Sequence, residues 1–321
     1  MKTTEFLSAT GRKRPVRLTE ATRAFASESL EQHRYGLDTR KTEAVCLDGT
    51  EGFETFGNLE KYDRAVAEIA AKSPVRICPG ERISGAATLG AAIGHVVPAK
   101  FGGQYVFSSV SHLTIDFRTV LDEGIDGICA RANAALDRFR GTAREKFSRS
   151  CVNCLDSFYT WHRRYIEALE QLPGYEANLA NLRQVPLRPA RNFYEAVQSQ
   201  WFIQLFSRIE QKTGTIISNG RMDQYLYPYY KADKDKGVID EDKAEELLEC
   251  VWVSMAQYID LYLSKAGGAF NEGYAHWEAV TIGGQTPDGR DAVNELTYIF
   301  LRSKREFPLN YPDLAARIHT R

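Results

Sequence analysis

The stretch T-I-G-G-Q-T-P-D-G-R-D-A-V-N-E-L-T-Y, residues 281–298, decides how this chain is built. Ala279 to Gly283 reads as a short buried strand. Pro287-Asp288-Gly289 is a turn signal, because proline presets its φ and glycine accepts positive φ. Asp291 is placed to cap a helix running to about Lys304, and Leu314 to Ile318 is a second strand-like apolar run. Strand, turn, helix and strand in that order predict α/β construction with a parallel component.

Working outward, the same alternation continues with helices in the majority. Asp240 caps a long helix whose first turn is acidic (Glu241, Asp242) and whose apolar positions are Leu247, Leu248, Val251, Trp252 and Met255. A short aromatic helix runs from Met222 to Pro228, and Thr213 to Gly220 is an extended or loop segment. Pro189 marks the start of a helix carrying Phe193, Ala196, Val197, Gln200, Trp201, Gln204 and Leu205 at three- and four-residue spacing. Further helices are expected at about 116–140 and 142–171, at Asn58 to Lys72 with Asn58 as cap, and at Thr19 to Gln32. Gln104 to Val110 reads as a strand. Neither an internal repeat nor a low-complexity tract is present.

Composition narrows the function. Lys plus Arg (41) nearly balances Asp plus Glu (42), so no strong field favours nucleic acid. No apolar run approaches the roughly 18 residues needed to span a bilayer, and the charged N-terminus lacks a signal-peptide core. These features predict a cytoplasmic protein with no membrane or nucleic-acid partner. Six scattered cysteines read as reduced thiols. The pair Cys151-x-x-Cys154 with His162 lacks a second cysteine pair, so inert thiols and no metal site are expected.

Four stretches, taken together, carry a resemblance. They are V-P-L-R-P-A-R-N-F-Y-E-A-V-Q (185–198), N-G-R-M-D-Q-Y-L-Y-P-Y-Y with the helix to Trp252 (219–252), the opening stretch at 281–298, and Y-P-D-L-A-A-R-I-H (311–319). In order and spacing they resemble the pyruvate formate-lyase domain of glycyl radical enzymes. C-P-G-E-R-I-S-G (78–85) and S-H-L-T-I-D-F with L-D-E-G-I-D-G-I (111–128) are similar to earlier family segments. The resemblance implies one incomplete domain over 1–321, with a mainly helical, looser part at 1–184 and a well-matching half-barrel part at 185–321. The fold implied is a helix-rich partial ten-stranded α/β barrel, its first half-barrel wrapped by helices.

Activity is implied by the same likeness. In the family, an S-adenosylmethionine iron–sulfur activating enzyme installs a glycyl radical, which oxidises a cysteine. The resulting thiyl abstracts hydrogen from a small-molecule substrate in a lyase or dehydratase reaction. No R-V-x-G-Y pattern occurs in the 321 residues and none of the cysteines has a Gly-Cys context, so no catalytic residue and no bound cofactor are expected here. The chain is expected to be a silent N-terminal part of a longer enzyme. An open strand edge near Ile318 predicts self-association into a homo-oligomer. The rival reading is a non-catalytic relative, or one half of a split enzyme, acting as a binding partner.

Substrate-binding candidates follow. His112 corresponds to a histidine that hydrogen-bonds a substrate hydroxyl in diol-dehydrating relatives, against the alternative of a satisfied strand-end histidine. Ser218 and Asn219 precede Gly220-Arg221, where the family lines its cavity, although turn formation alone would also use them. Glu272 and His276, with Glu278, alternate with aromatic residues and would suit acid–base work or an aromatic-walled pocket; a solvated loop is the alternative. Arg221 and Asp223 are expected to be structural, as a buried bidentate pair locking helix to barrel.

Overall fold

The alternation of helix and strand is realised in a computed structural model describing residues 45–73, 75–85, 99–102, 104–105, 112–207, 216–256, 279–306 and 312–319. The helix expected at Thr19 to Gln32 lies outside these residues. Strand β1 (Val45–Cys46) pairs parallel with β2 (Ala99–Phe101), which turns back antiparallel onto β3 (Gln104–Tyr105). Between them α1 (Asn58–Lys72) begins at the residue expected to cap it, and the cap is Gly57. Asn58 is inside the helix, and Glu60 reaches back to the Gly57 N–H at 2.7 Å.

After β4 (His112–Thr114) comes α2 (Phe117–Arg138), capped by Asp116, which accepts from Thr119 N–H at 3.2 Å and from its hydroxyl at 2.7 Å. This helix is broken at Gly124, where φ is +69°. The amides freed there, of Ile125 and Asp126, donate to Pro186 O and Leu187 O at 2.9 Å each. A Cβ on Gly124 would stand 2.3 Å from Leu187 O, so only glycine admits the 185–190 segment this closely.

Helices α3 (Glu145–Glu170) and α4 (Glu176–Leu182) lead into α5 (Phe193–Phe206). Helix α5 starts four residues after the expected Pro189. Ala190 N–H is held by Leu121 O at 3.0 Å, and Asn192 caps the helix by accepting from Glu195 N–H at 2.9 Å. Every residue from Phe193 to Leu205 except Tyr194 is buried, glutamines included. Its aromatic residues meet those of α3: Trp161 stacks on Phe202 at 4.2 Å, with Phe158, Tyr165 and Phe206 around them. Two of the buried glutamines donate to backbone carbonyls of other segments. Gln204 Nε2 donates to Ile217 O, and Gln198 Nε2 to Ser84 O, at 2.7 and 2.8 Å.

Strand β5 (Ile216–Ser218) and strand β6 (Gly220–Arg221) are followed by α6 (Met222–Tyr225), α7 (Tyr227–Asp235) and α8 (Glu241–Ala256). Pro228 does not end a helix; it stands in the first turn of α7, where its missing N–H is harmless. Asp240 caps α8 as expected, accepting from Lys243 N–H at 2.8 Å. Strand β7 (Ala279–Gly283), helix α9 (Glu295–Glu306) and strand β8 (Asp313–Arg317) complete the order. Asn294, not Asp291, caps α9, exchanging bonds of 3.1 Å with Thr297.

The fold is a helix-rich α/β arrangement with a small parallel sheet. Strand β4 pairs parallel with β5, and β6, β7 and β8 are mutually parallel in that order. Only Asn219 separates β5 from β6, and its N–H donates to Ala279 O at 3.1 Å. The two strand groups are thereby joined side by side. Helices α6 and α9 pack on β7, so the core lies on one side of the sheet.

Candidate functional site

Strand residues alternate between two faces, and the burial here divides accordingly. On β7, Val280 and Ile282 are fully buried among the helices, while Ala279 and Thr281 are half-buried. In register with them on β8, Leu314 joins the core and Asp313, Ala315 and Arg317 are exposed; Ala316, opposite Ile282, is exposed as well, so β8 is the less covered edge. On β5, Ile217 is buried, Ser218 is half-buried and its register partner Thr114 on β4 is exposed. The face away from the helices therefore carries Thr114, Ser218, Ala279, Thr281, Asp313, Ala315 and Arg317. Among the described residues no element covers it. Small side chains with hydroxyls and a guanidinium leave room for, and can hydrogen-bond, a small polar ligand.

Asn219 is on the other side. It is fully buried, its Oδ1 accepts from Gln200 Nε2 at 2.6 Å, and its carbonyl accepts from Tyr225 Oη at 2.9 Å. Of the expected pair Ser218–Asn219, only Ser218 faces the open side; Asn219 anchors the strand to α5. Gly220, with φ +64°, breaks the strand directly after it.

Arg221 and Asp223 do not form the expected bidentate pair, because the turn at Gly220 sends them to different partners. Arg221 Nη1 donates to Gln285 O at 2.9 Å. Asp223 is fully buried, and its carboxylate accepts from Gly283 N–H at 2.8 Å and from the Thr297 hydroxyl at 2.5 Å. Its own carbonyl accepts from Asn294 Nδ2 at 3.0 Å. Burial pushes the Asp223 carboxyl above the usual carboxylate range, opposed by these two bonds. The residue ties α6 to β7 and α9 through neutral donors, while the Arg221 charge acts on it without a hydrogen bond.

His112 is the first residue of β4, in register with Ile216. Glu272 and His276 lie outside the described residues. Cys151 and Cys154 are free thiols, and Cys154 Sγ approaches Asp63 at 4.0 Å. His162 is turned elsewhere, its Nε2 2.8 Å from Leu182 O and its ring against Phe158 and Phe202; burial pushes its pKa down. Among the described residues no group of His, Cys, Asp and Glu could hold a metal ion.

Thr114 and Thr281 were not singled out in the sequence. Their signal was available in the period-two alternation of H-L-T and A-V-T-I-G, which puts each threonine on the face opposite its apolar neighbour.

Known proteins share this arrangement. The profile of the pyruvate formate lyase-like family matches residues 88–321. Isethionate sulfite-lyase of Nitratidesulfovibrio vulgaris is 53% identical over 231 residues, covering 68% of this chain and 27% of the relative. Trans-4-hydroxy-L-proline dehydratase of Clostridioides difficile is 30% identical over 175 residues, covering 51% of this chain and 22% of the relative. Among solved structures, the B12-independent glycerol dehydratase of Clostridium butyricum, in a glycerol-bound form, superposes with a TM-score of 0.71 at 20% identity, over 94% of this chain and 47% of that one. A structure from work on 1,2-propanediol dehydration in Roseburia inulinivorans gives a TM-score of 0.71 at 23% identity, over 96% and 48%. The match thus spans 27% of the first curated relative's length and about half of these structures.

Proposed function

The chain belongs to the pyruvate formate lyase-like family of glycyl radical enzymes, and from that premise we propose that it forms part of a lyase acting on isethionate or a closely similar small hydroxylated sulfonate. The observation that carries this reading is the 53% identity to an isethionate sulfite-lyase, well above the 30% shared with the hydroxyproline dehydratase. The uncovered sheet face suits such a ligand, since Thr114, Ser218 and Thr281 offer hydroxyls and Arg317 a cation. We read this face as the inner wall of a first half-barrel, with residues 185–321 supplying most of it and 1–184 mainly the surrounding helices.

In this reading the reaction begins with hydrogen abstraction from the substrate by a cysteine thiyl, itself formed by a glycyl radical that an S-adenosylmethionine iron–sulfur enzyme installs. The residues of this chain bind and orient the substrate, with Ser218, His112, Glu272 and His276 as the binding candidates. Asn219, Arg221 and Asp223 hold the strand and its following helix in place. Neither radical residue belongs to these 321 residues, so the chain alone binds without turning over. A homo-oligomeric, cytoplasmic assembly fits the same reading.

Ligand-observed NMR on the purified chain tests it. Isethionate is expected to give saturation transfer that excess unlabelled pyruvate does not displace, with no sulfite released. Sulfite release by the chain alone would overturn its silence. Displacement by pyruvate, with no preference for the sulfonate, would overturn the substrate class.

A further inference from the structure

Thr114 and Ser218 are register partners on the parallel strands β4 and β5. Register partners share a face, about 4.8 Å apart, so the two hydroxyls stand side by side on the open side of the sheet. Thr114 is exposed and Ser218 half-buried, and neither hydroxyl finds a hydrogen-bond partner among the described residues. The Thr114 methyl is seated against Gly220: a Cβ there would stand 2.8 Å from Thr114 Cγ2, and the φ of +64° already favours glycine. A β-branched side chain has few χ1 choices. With its methyl held on the Gly220 backbone, the Thr114 hydroxyl is left to point off it.

The two hydroxyls can each donate and accept, which matches a ligand hydroxyl better than an anion. The cationic groups of this face are grouped on β6 and β8 rather than beside the hydroxyl pair: Arg317 and Arg221 both lie beside Gly284, where Arg317 Cδ and Arg221 Nη2 come within 3.5 and 3.6 Å of the place a Cβ would occupy. We propose that Thr114 is a specificity-determining residue, which together with Ser218 reads the hydroxyl of the small polar ligand on this face. The proposal rests on the reading of the open face as a substrate surface, and it adds a residue and the ligand group that residue recognises.

Titration calorimetry with the purified chain tests it, using isethionate and ethanesulfonate, which lacks the hydroxyl. Thr114→Val keeps the shape and removes the hydroxyl. It is expected to weaken isethionate binding about 3- to 10-fold, the equivalent of one hydrogen bond, and to leave ethanesulfonate binding unchanged. Thr114→Ser should restore isethionate binding. A purely structural role would weaken both ligands together, and that result, or an unchanged isethionate affinity, would overturn the proposal. If the wild-type chain binds neither sulfonate, the substrate-surface reading itself falls and takes the proposal with it. A thermal melt of each variant checks that loss of binding is not loss of fold.

Discussion

The two sides of the parallel sheet are made of the same strands, yet they are governed by different physics. On the helix side, Ile217, Asn219, Val280 and Ile282 are buried at 1% exposure or less; Asn219 Oδ1 accepts from Gln200 and Ile217 O from Gln204, both on α5, and Asn219 O accepts from Tyr225 on α6. On the other side, Thr114, Ala315 and Arg317 are exposed and Ser218 and Thr281 half-buried, with hydroxyls that bond nothing among the described residues. Ser218 and Asn219 are neighbours in the chain and fall on opposite sides of that division. One face is closed by packing and hydrogen bonds, and the other is left open among the described residues.

The sharpest way to break this contrast is to open the closed side. Trp201 is fully buried on α5 and donates to Gly85 O at 2.7 Å, so Trp201→Ala should destabilise the chain by about 3–5 kcal/mol. Urea denaturation measures it, and a cost near zero would mean that α5 is not enclosed. Asp223→Ala strips the acceptor from Gly283 N–H and the Thr297 hydroxyl, at a cost of about 1–3 kcal/mol. The loss should appear in the same experiment, along with weaker amide protection at the end of β7.

A third test uses pH. Glu81 is buried in the segment under α4 and α5, and desolvation by burial pushes its carboxyl from 4.5 to about 8. With the folded value above the unfolded one, its proton-linked stability is complete below about 4.5 and is lost as pH rises through about 8. Glu81→Gln should flatten that decline, which is at most about 1.4 kcal/mol per pH unit for one proton. Melts from pH 4 to 9 in both proteins check it; equal slopes would contradict it. The smallest effect belongs to the open face. Ser218→Ala and Thr281→Val should each change stability by about 0.5 kcal/mol or less, and a larger cost would show that this face is packed.

Much of the fold was legible from local pattern. The helices at Asn58–Lys72, Phe117–Arg138, Glu145–Glu170 and Glu241–Ala256 lie close to where apolar spacing and caps put them, as do the strands Ala279–Gly283 and Asp313–Arg317. Boundaries failed where a nearby residue offered competing chemistry: Asn294 takes the cap assigned to Asp291, and Pro228 opens α7 where it was expected to close a helix. The site was legible only in part. Ser218 could be picked out, Thr114 and Thr281 could have been, and Glu272 and His276 remain sequence readings.

The amino-acid sequence by itself determined which segments are helix or strand, because hydrophobic period, caps and turn residues act over a few residues. It also determined the family, through the order and spacing of its four stretches. Tertiary structure alone decided which way adjacent polar residues point. The break after Asn219 depends on Gly220 taking φ +64° beside Thr114, over a hundred residues earlier in the chain. The partner of Asp223 depends on Gly283 and Thr297 being brought beneath α6, and the break in α2 at Gly124 on the arrival of Leu187 O. Each of these is a contact between distant segments, and a local pattern cannot encode the position of a group it does not contain.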